Sequence, residues 1–235
     1  MKRTVFKIKF LVKGMLGKEL WASVQIKSPV TWFGHPQAGF YVATDYIGEN
    51  SIVYSFGVGE NISFDEKLIE LYNSTVYAFD PTPKTKVFLE KKGIPPNFIF
   101  LDYGLYDFNG MVTFYLPENP MYVSGATFNR WKYNESMNHP IEVPVKRFST
   151  IIKELRHSRI DILKMDIEGS EYTVLDDILN SGIEIKQILI EFHHRFKEIG
   201  LQKSRDAIKK LNEKGYKIAA ISDSREEYTF IKPRR

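Results

Sequence analysis

Cysteine is absent from the 235 residues. A disulfide scaffold, a thiolate nucleophile and cysteine-ligated zinc or iron–sulfur sites are therefore excluded. Long apolar runs are missing too. Lys7, Lys9 and Lys13 interrupt every hydrophobic stretch near the start, so residues 1–20 are expected to be neither a secretory signal nor a bilayer span. Internal repeats and low-complexity tracts are lacking. What is present is globular in composition, 43% hydrophobic and 26% charged, and long enough for one substantial domain with a real core.

The formal net charge of +4 is unevenly placed. Six basic residues face one acid, Glu19, within the first twenty, and Lys232, Arg234 and Arg235 close the chain. The body between is mildly acidic and shows no phosphate-tracking stripe, so no nucleic-acid partner is expected. Val5, Ile8, Leu11, Val12, Met15 and Leu16 recur at helical spacing among Lys and Arg. Two readings stay open for residues 1–20: an element packed on the body, or peripheral contact with an anionic membrane. The expected location is the cytoplasm, with the inner face of the membrane as the place of such a contact. Trp21 to Ala43 reads as strand pieces, with turns at Ser28-Pro29 and His35-Pro36.

From Ser51 onward, strands and helices alternate. Strands are expected at 51–56, 75–79, 97–101, 111–116, 160–165, 185–192, 216–222 and 227–232, with helices between most of them. Ser63 and Glu66 form a capping-box pair, and Ser149 stands where a helix cap is wanted. Such alternation predicts an α/β fold with a mostly parallel sheet covered by helices on both faces. Pro117 to Pro144 lacks periodicity and reads as a long surface excursion.

In an open parallel sheet, ligands bind beyond the carboxyl ends of the strands. Those ends hold Ser55, Gly57, Val58 and Gly59; Asp80 and Pro81; Asp102 to Tyr106; Asp166 and Glu168; and Glu191, His193 and His194. Four of the five contribute carboxylates. Gly57 and Gly59 permit a tight turn against a ligand, but Ile62 replaces the third small residue of a dinucleotide fingerprint. Asp80 stands where a carboxylate can accept ribose hydroxyl bonds. An adenosine cofactor without a pyrophosphate fits this set best. His193 and His194 must point to opposite faces of a strand, and His193 shares its face with Glu191.

The segment Ile160–Leu179 (IDILKMDIEGSEYTVLDDIL) resembles the signature of FkbM-type S-adenosylmethionine-dependent methyltransferases. Val143–Leu155 (VPVKRFSTIIKEL), Gly104-Leu105-Tyr106-Asp107 through Phe114-Tyr115, and Ile188–His194 (ILIEFHH) are similar to further parts of that family, over roughly 45–230. The resemblance implies a Rossmann-like class I methyltransferase fold with a seven-stranded sheet. An N-terminal extension over 1–44 would pack on a methyltransferase domain over 45–235, with 103–147 as a hairpin and substrate-covering insertion. It also implies that Ser55, Gly57, Val58 and Gly59 line the methionine part of S-adenosylmethionine. Asp80 and Pro81 would meet the ribose, Asp102, Gly104 and Leu105 the adenine, and Asp166 and Glu168 the cofactor's amino group or the acceptor. The class commonly has an acid at the position of Ser55; here that contact would fall to Glu60, Asp166, Glu168 or water.

The implied reaction is methyl transfer to a hydroxyl of a saccharide or glycan. His193 is the preferred general base with Glu191 assisting, and Asp166 is the alternative. The same three residues are also suited to a divalent cation, and sequence spacing does not decide between these roles. Tyr122, Ser124, Thr127, Trp131 and His194 are assigned to the acceptor. A small metabolite, a lipid or a protein side chain is the alternative acceptor, and a cofactor-binding module without catalysis is the rival outside enzymology.

Overall fold

The computed structural model describes residues 14, 19–116, 125–128 and 140–234. Three sheets are formed. The N-terminal hairpin pairs β1 (Val30–His35) with β2 (Ala38–Ala43) in antiparallel register. The central sheet uses β3 (Ile52–Phe56), β4 (Thr75–Phe79), β5 (Phe98–Leu101), β9 (Arg159–Met165), β10 (Glu184–Glu191), β11 (Lys217–Ile221) and β12 (Glu227–Ile231). The third sheet comprises β6 (Gly104–Leu105), β7 (Gly110–Tyr115) and β8 (Pro140–Lys146).

The seven central strands run in the order β11-β12-β10-β9-β3-β4-β5. Neighbours from β10 to β5 are parallel, while β12 is antiparallel to both β10 and β11. The chain starts in the middle at β3, builds outward through β4 to β5, then crosses back to add β9 on the other side. That reversal makes the β3–β9 boundary the topological switch, where a crevice opens at the carboxyl ends. This is the strand order and mixed pairing of a class I, Rossmann-like methyltransferase sheet.

Side-chain alternation explains why both faces are covered. Tyr54, Phe56, Leu163, Ile188 and Ile190 belong to one core with α3 (Phe148–Leu155), α4 (Glu171–Asn180) and α5 (Gly200–Glu213). Val53, Val76, Ile162 and Leu189 turn the other way. They pack with α1 (Ser63–Tyr72), with Leu89 of α2 (Pro83–Lys92), and with Phe33, Phe40 and Val42 of the hairpin. The hairpin thus completes the second face. Strands buried on both sides lose the polar–apolar alternation of half-exposed sheets, which is why β9 is buried from Ile160 to Met165.

Three local expectations are revised. The Ser63–Glu66 capping box does not form, because the Ser63 hydroxyl accepts the His35 backbone N–H at 2.8 Å and ties α1 to the hairpin. Ser149 lies inside the first turn of α3, and its N–H is taken by Asp177 from α4 at 2.9 Å. The expected excursion to Pro144 contains β8, which pairs with β7 from Pro140 to Val145. Pro140 and Pro144 lack a donor, but only Val145 and Lys146 pair on the second side, with β6, so both prolines occupy edge positions.

One buried polar side chain fastens the extension to the sheet. Gln187 on β10 accepts the Ala43 N–H at 3.0 Å and donates to the Ala43 carbonyl at 3.3 Å. Gln187→Leu leaves both backbone groups of Ala43 buried and unpaired, at a cost of about 2–4 kcal/mol. Urea denaturation is expected to show that loss, and a midpoint equal to wild type would remove Gln187 as the fastener.

Candidate active site

A cavity of about 330 Å³ opens at the carboxyl ends of β3, β4 and β9. Its walls include Phe56 and Phe79, stacked with ring centroids 4.3 Å apart. The turn after β3 depends on glycine. Gly57 and Gly59 have φ of +77° and +59°, and a Cβ on Gly57 would lie 1.6 Å from the Asp166 carbonyl oxygen. Only hydrogen lets β3 turn past the end of β9. Lys164, buried on β9, donates to the Gly57 carbonyl at 2.8 Å and holds the turn from below.

Asp80 holds the same turn from the side. Its Oδ2 accepts the Val58 and Gly59 N–H groups at 3.1 and 2.8 Å. Its Oδ1 accepts the Thr82 N–H at 2.9 Å and the Thr82 hydroxyl. The expected ribose ligand is therefore also the clamp that shapes the loop, and it lines the cavity with Pro81, Gly104 and Leu105. Glu60 lines it too, paired with Lys84 at 3.0 Å. Asp102 does not. Its exposed carboxylate turns outward to Lys86 at 2.9 Å, outside the cavity wall where the adenine contact is expected. Ser55 is buried on β3 but lies outside the cavity wall.

Asp65 of α1 is the acid that sequence reasoning missed. It lines the cavity, is 1% exposed, and its Oδ1 has no hydrogen-bond partner. Burial pushes its carboxyl up to about 6, against the opposing pull of Lys164 and the Ser55 hydroxyl. Its place in the first turn of the helix after the glycines was legible, but a first-turn acid also reads as ordinary dipole compensation. An unpaired carboxylate oxygen, oriented backbone around two glycines and a partly apolar wall suit an adenosine cofactor that carries an ammonium group.

Beside the cavity, the ends of β9 and β10 converge on His193, which is 5% exposed. Its Nδ1 lies 3.0 Å from Glu171 Oε1. Its Nε2 lies 3.5 Å from Glu168, 3.7 Å from Asp166 and 3.9 Å from Glu191. Glu171 opens α4 and also accepts the backbone N–H groups of Ile167 and Gly169, at 2.9 and 3.1 Å. Burial alone would depress the His193 imidazole, but Glu171, then Glu168 and Asp166, outweigh it and hold it well above its ordinary value. Burial raises Asp166 to about 6, opposed by Lys164 and His193. Burial and the neighbouring Asp166 likewise raise Glu191. The expected trio is thus brought together around the imidazole.

The acceptor residues fare unevenly. Thr127 lines the cavity, 3.4 Å from the Ser170 hydroxyl. Tyr122, Ser124 and Trp131 lie outside the described residues. His194, beyond the end of β10, does not line the cavity and is buried against Glu19 with Nε2 2.5 Å from Oε1. A separate groove of about 490 Å³, lined by Trp32, Tyr41, Glu191, Ser222, Asp223 and Glu226 among others, meets the cluster at Glu191.

The raised Asp65 carboxyl has a signed consequence. A carboxyl lifted from 3.8 to about 6 on folding destabilises the fold as pH rises through that window. The stability of wild type minus that of Asp65→Asn is expected to fall by about 2 kcal/mol between pH 4 and pH 6.5. Urea titrations at several pH values measure it, and a difference independent of pH would refute the assignment.

Comparison with known proteins follows from this geometry. The fibrillarin of Aeropyrum pernix with natively bound S-adenosyl-L-methionine is similar at 10% identity and a TM-score of 0.43, over 79% of this chain and 66% of that one. A fibrillarin/Nop5p complex matches at 15% identity and a TM-score of 0.46, over 79% and 73%. A methyltransferase from Pyrococcus furiosus matches at 8% identity and a TM-score of 0.40, over 99% of both chains. The chain spans just under two thirds of the length of the first of these. No curated protein sequence matches it. The methyltransferase FkbM domain matches residues 51–218, from β3 into β11, and includes every strand end that lines the cavity; the chain belongs to this family of S-adenosylmethionine-dependent methyltransferases.

Proposed function

We propose that the protein moves a methyl group from S-adenosylmethionine to a hydroxyl of a saccharide or glycan. The observation that carries the acceptor class is the groove that meets the catalytic cluster at Glu191. Trp32 and Tyr41 stand edge to face there, 5.0 Å apart, and share the groove with Glu191, Asp223, Glu226 and Glu227. Aromatic faces pack on the C–H faces of sugar rings, while carboxylates and the hydroxyls of Ser222 and Ser224 accept their O–H groups. Among the described residues, every charged side chain lining the groove is a carboxylate. That lining disfavours phosphorylated sugars and nucleic acids and favours a neutral or amino-bearing ring.

Bound S-adenosylmethionine supplies an electrophilic methyl group on a positively charged sulfur. The chain's own residues provide the rest. Asp80 and Lys164 fix the glycine turn that forms one wall of the cavity, and Asp65 offers the anionic oxygen that Ser55 lacks. Asp166 lines the cavity and Glu191 the groove, so the two carboxylates mark the line along which donor and acceptor meet. The acceptor hydroxyl gives up its proton as it attacks, and this carboxylate cluster receives it.

The basic first twenty residues favour a cytoplasmic enzyme working against an anionic membrane face, consistent with a lipid-linked glycan. Among the described residues no helix is long and apolar enough to cross a membrane. Residues 1–13 and 15–18 lie outside the described residues.

The test uses labelled S-adenosylmethionine with methyl glycosides of glucose, glucosamine and glucuronic acid, plus glucose 6-phosphate, read by mass spectrometry. Methyl ether formation on the neutral or amino sugars is expected, with less on the acidic two. Trp32→Ala is expected to raise KM at least tenfold with kcat nearly unchanged. Glu191→Gln is expected to lower kcat at least a hundredfold at unchanged cofactor affinity. Transfer to none of these sugars, or a preference for the anionic ones, would overturn the acceptor assignment.

A further inference from the structure

We propose that Asp166, Glu191 and His193 form a site for one divalent cation of the magnesium–manganese class. One donor atom from each can be chosen so that all lie within 4.8 Å of one another. Donors around an octahedral ion at about 2.1 Å stand about 3 Å apart when adjacent and about 4.2 Å when opposite. The observed 3.7 Å from His193 Nε2 to Asp166 and 3.9 Å to Glu191 fall inside that range. Sub-ångström side-chain movement closes the set around an ion.

The imidazole supplies the independent observation. His193 is nine-tenths buried or more, and its Nε2 is aimed among three carboxylates without closing on any. A simple ion pair would draw Nε2–H to about 2.8 Å from one oxygen. Distances of 3.5 to 3.9 Å are instead those of neighbouring ligands around one ion, longer than a closed pair. Glu171 stands 3.0 Å from Nδ1, on the far side of the ring. That carboxylate stands where the outer partner of a metal-bound histidine would, with Nε2 facing the group. One imidazole and two carboxylates, in a chain without cysteine, select an oxygen-preferring cation over a thiophilic one.

The role of the cation rests on the methyl-transfer reading above. Asp166 borders the cofactor cavity and Glu191 the groove, so the ion would stand where acceptor oxygen and methyl group meet. It would lower the pKa of the hydroxyl. The O–H bond breaks with its proton passing to a nearby carboxylate, Glu168 or water. The O–C bond forms as the C–S bond breaks, leaving a neutral thioether.

The site is tested without acceptor or turnover. Full-length protein is freed of metal with chelator and titrated with Mn²⁺, the free ion being followed by electron paramagnetic resonance. One saturable Mn²⁺ per chain is expected, with at least tenfold weaker binding in Glu191→Gln and Asp166→Asn. Asp102→Asn, whose carboxylate pairs with Lys86 at the surface, is expected to bind like wild type. Thermal melting confirms that each variant folds, and the two amide variants keep the side-chain shape if His193→Ala does not. Absence of a saturable site, or unchanged Mn²⁺ affinity in both amide variants, would overturn the proposal. Because Mn²⁺ binding is read alone, a failed glycoside panel leaves this site standing, and a failed titration leaves the glycoside reading standing.

Discussion

Glu171 stands in the first turn of α4, and groups from two other segments converge on its carboxylate: the Ile167 and Gly169 N–H groups and the His193 imidazole. The loop after β9 and the end of β10 are thereby fixed to one point. A carboxylate at a helix N-terminus is favoured by the helix dipole, and two backbone donors add to that. Asp166, Glu168 and Glu191 can gather around His193 because Glu171 orients the ring from behind. Removal of Glu171 would release the loop and the imidazole together, so its influence on the chemistry is exerted through position.

The fold was legible because its rules are local. Apolar strands of five to eight residues alternate with amphipathic helices, and parallel strands must have crossovers, so order and layering follow. The carboxyl ends of the strands then specify where a ligand sits, and Gly57, Gly59, Asp80, Asp166, Glu191 and His193 were all identifiable from that rule. Three kinds of information were not local. Asp102 sits one residue beyond β5 like the others, yet pairs with Lys86 because α2 passes on its outer side. Asp65 enters the cavity from a helix, where no strand-end rule looks for it. Trp32 reaches the groove from a hairpin more than 150 residues before Glu191, a proximity no spacing encodes.

Charge is distributed in a way that composition hides. The positive excess lies toward the chain ends, while the groove and the cluster are lined by acids. Lys164 is the cation built into the interior of the site, hydrogen-bonded to Gly57 and close enough to influence both Asp65 and Asp166. It links the cofactor turn to the first carboxylate of the cluster. A change at either is therefore felt by the other through one ammonium group.

Gln187 gives the hairpin a meaning beyond packing. A glutamine in the middle of a buried strand is a liability unless something always covers it, and the backbone of Ala43 does so. Phe33, Phe40 and Val42 of the same hairpin cover Val53, Ile162 and Leu189 of the central sheet. A chain cut at residue 45 would retain every strand of that sheet, yet it would open an apolar face to water with an amide in its centre. The start of the methyltransferase motif is thus a seam in sequence and not in cooperativity. The hairpin and the sheet share one core, so losing the hairpin means losing part of what that core is made of.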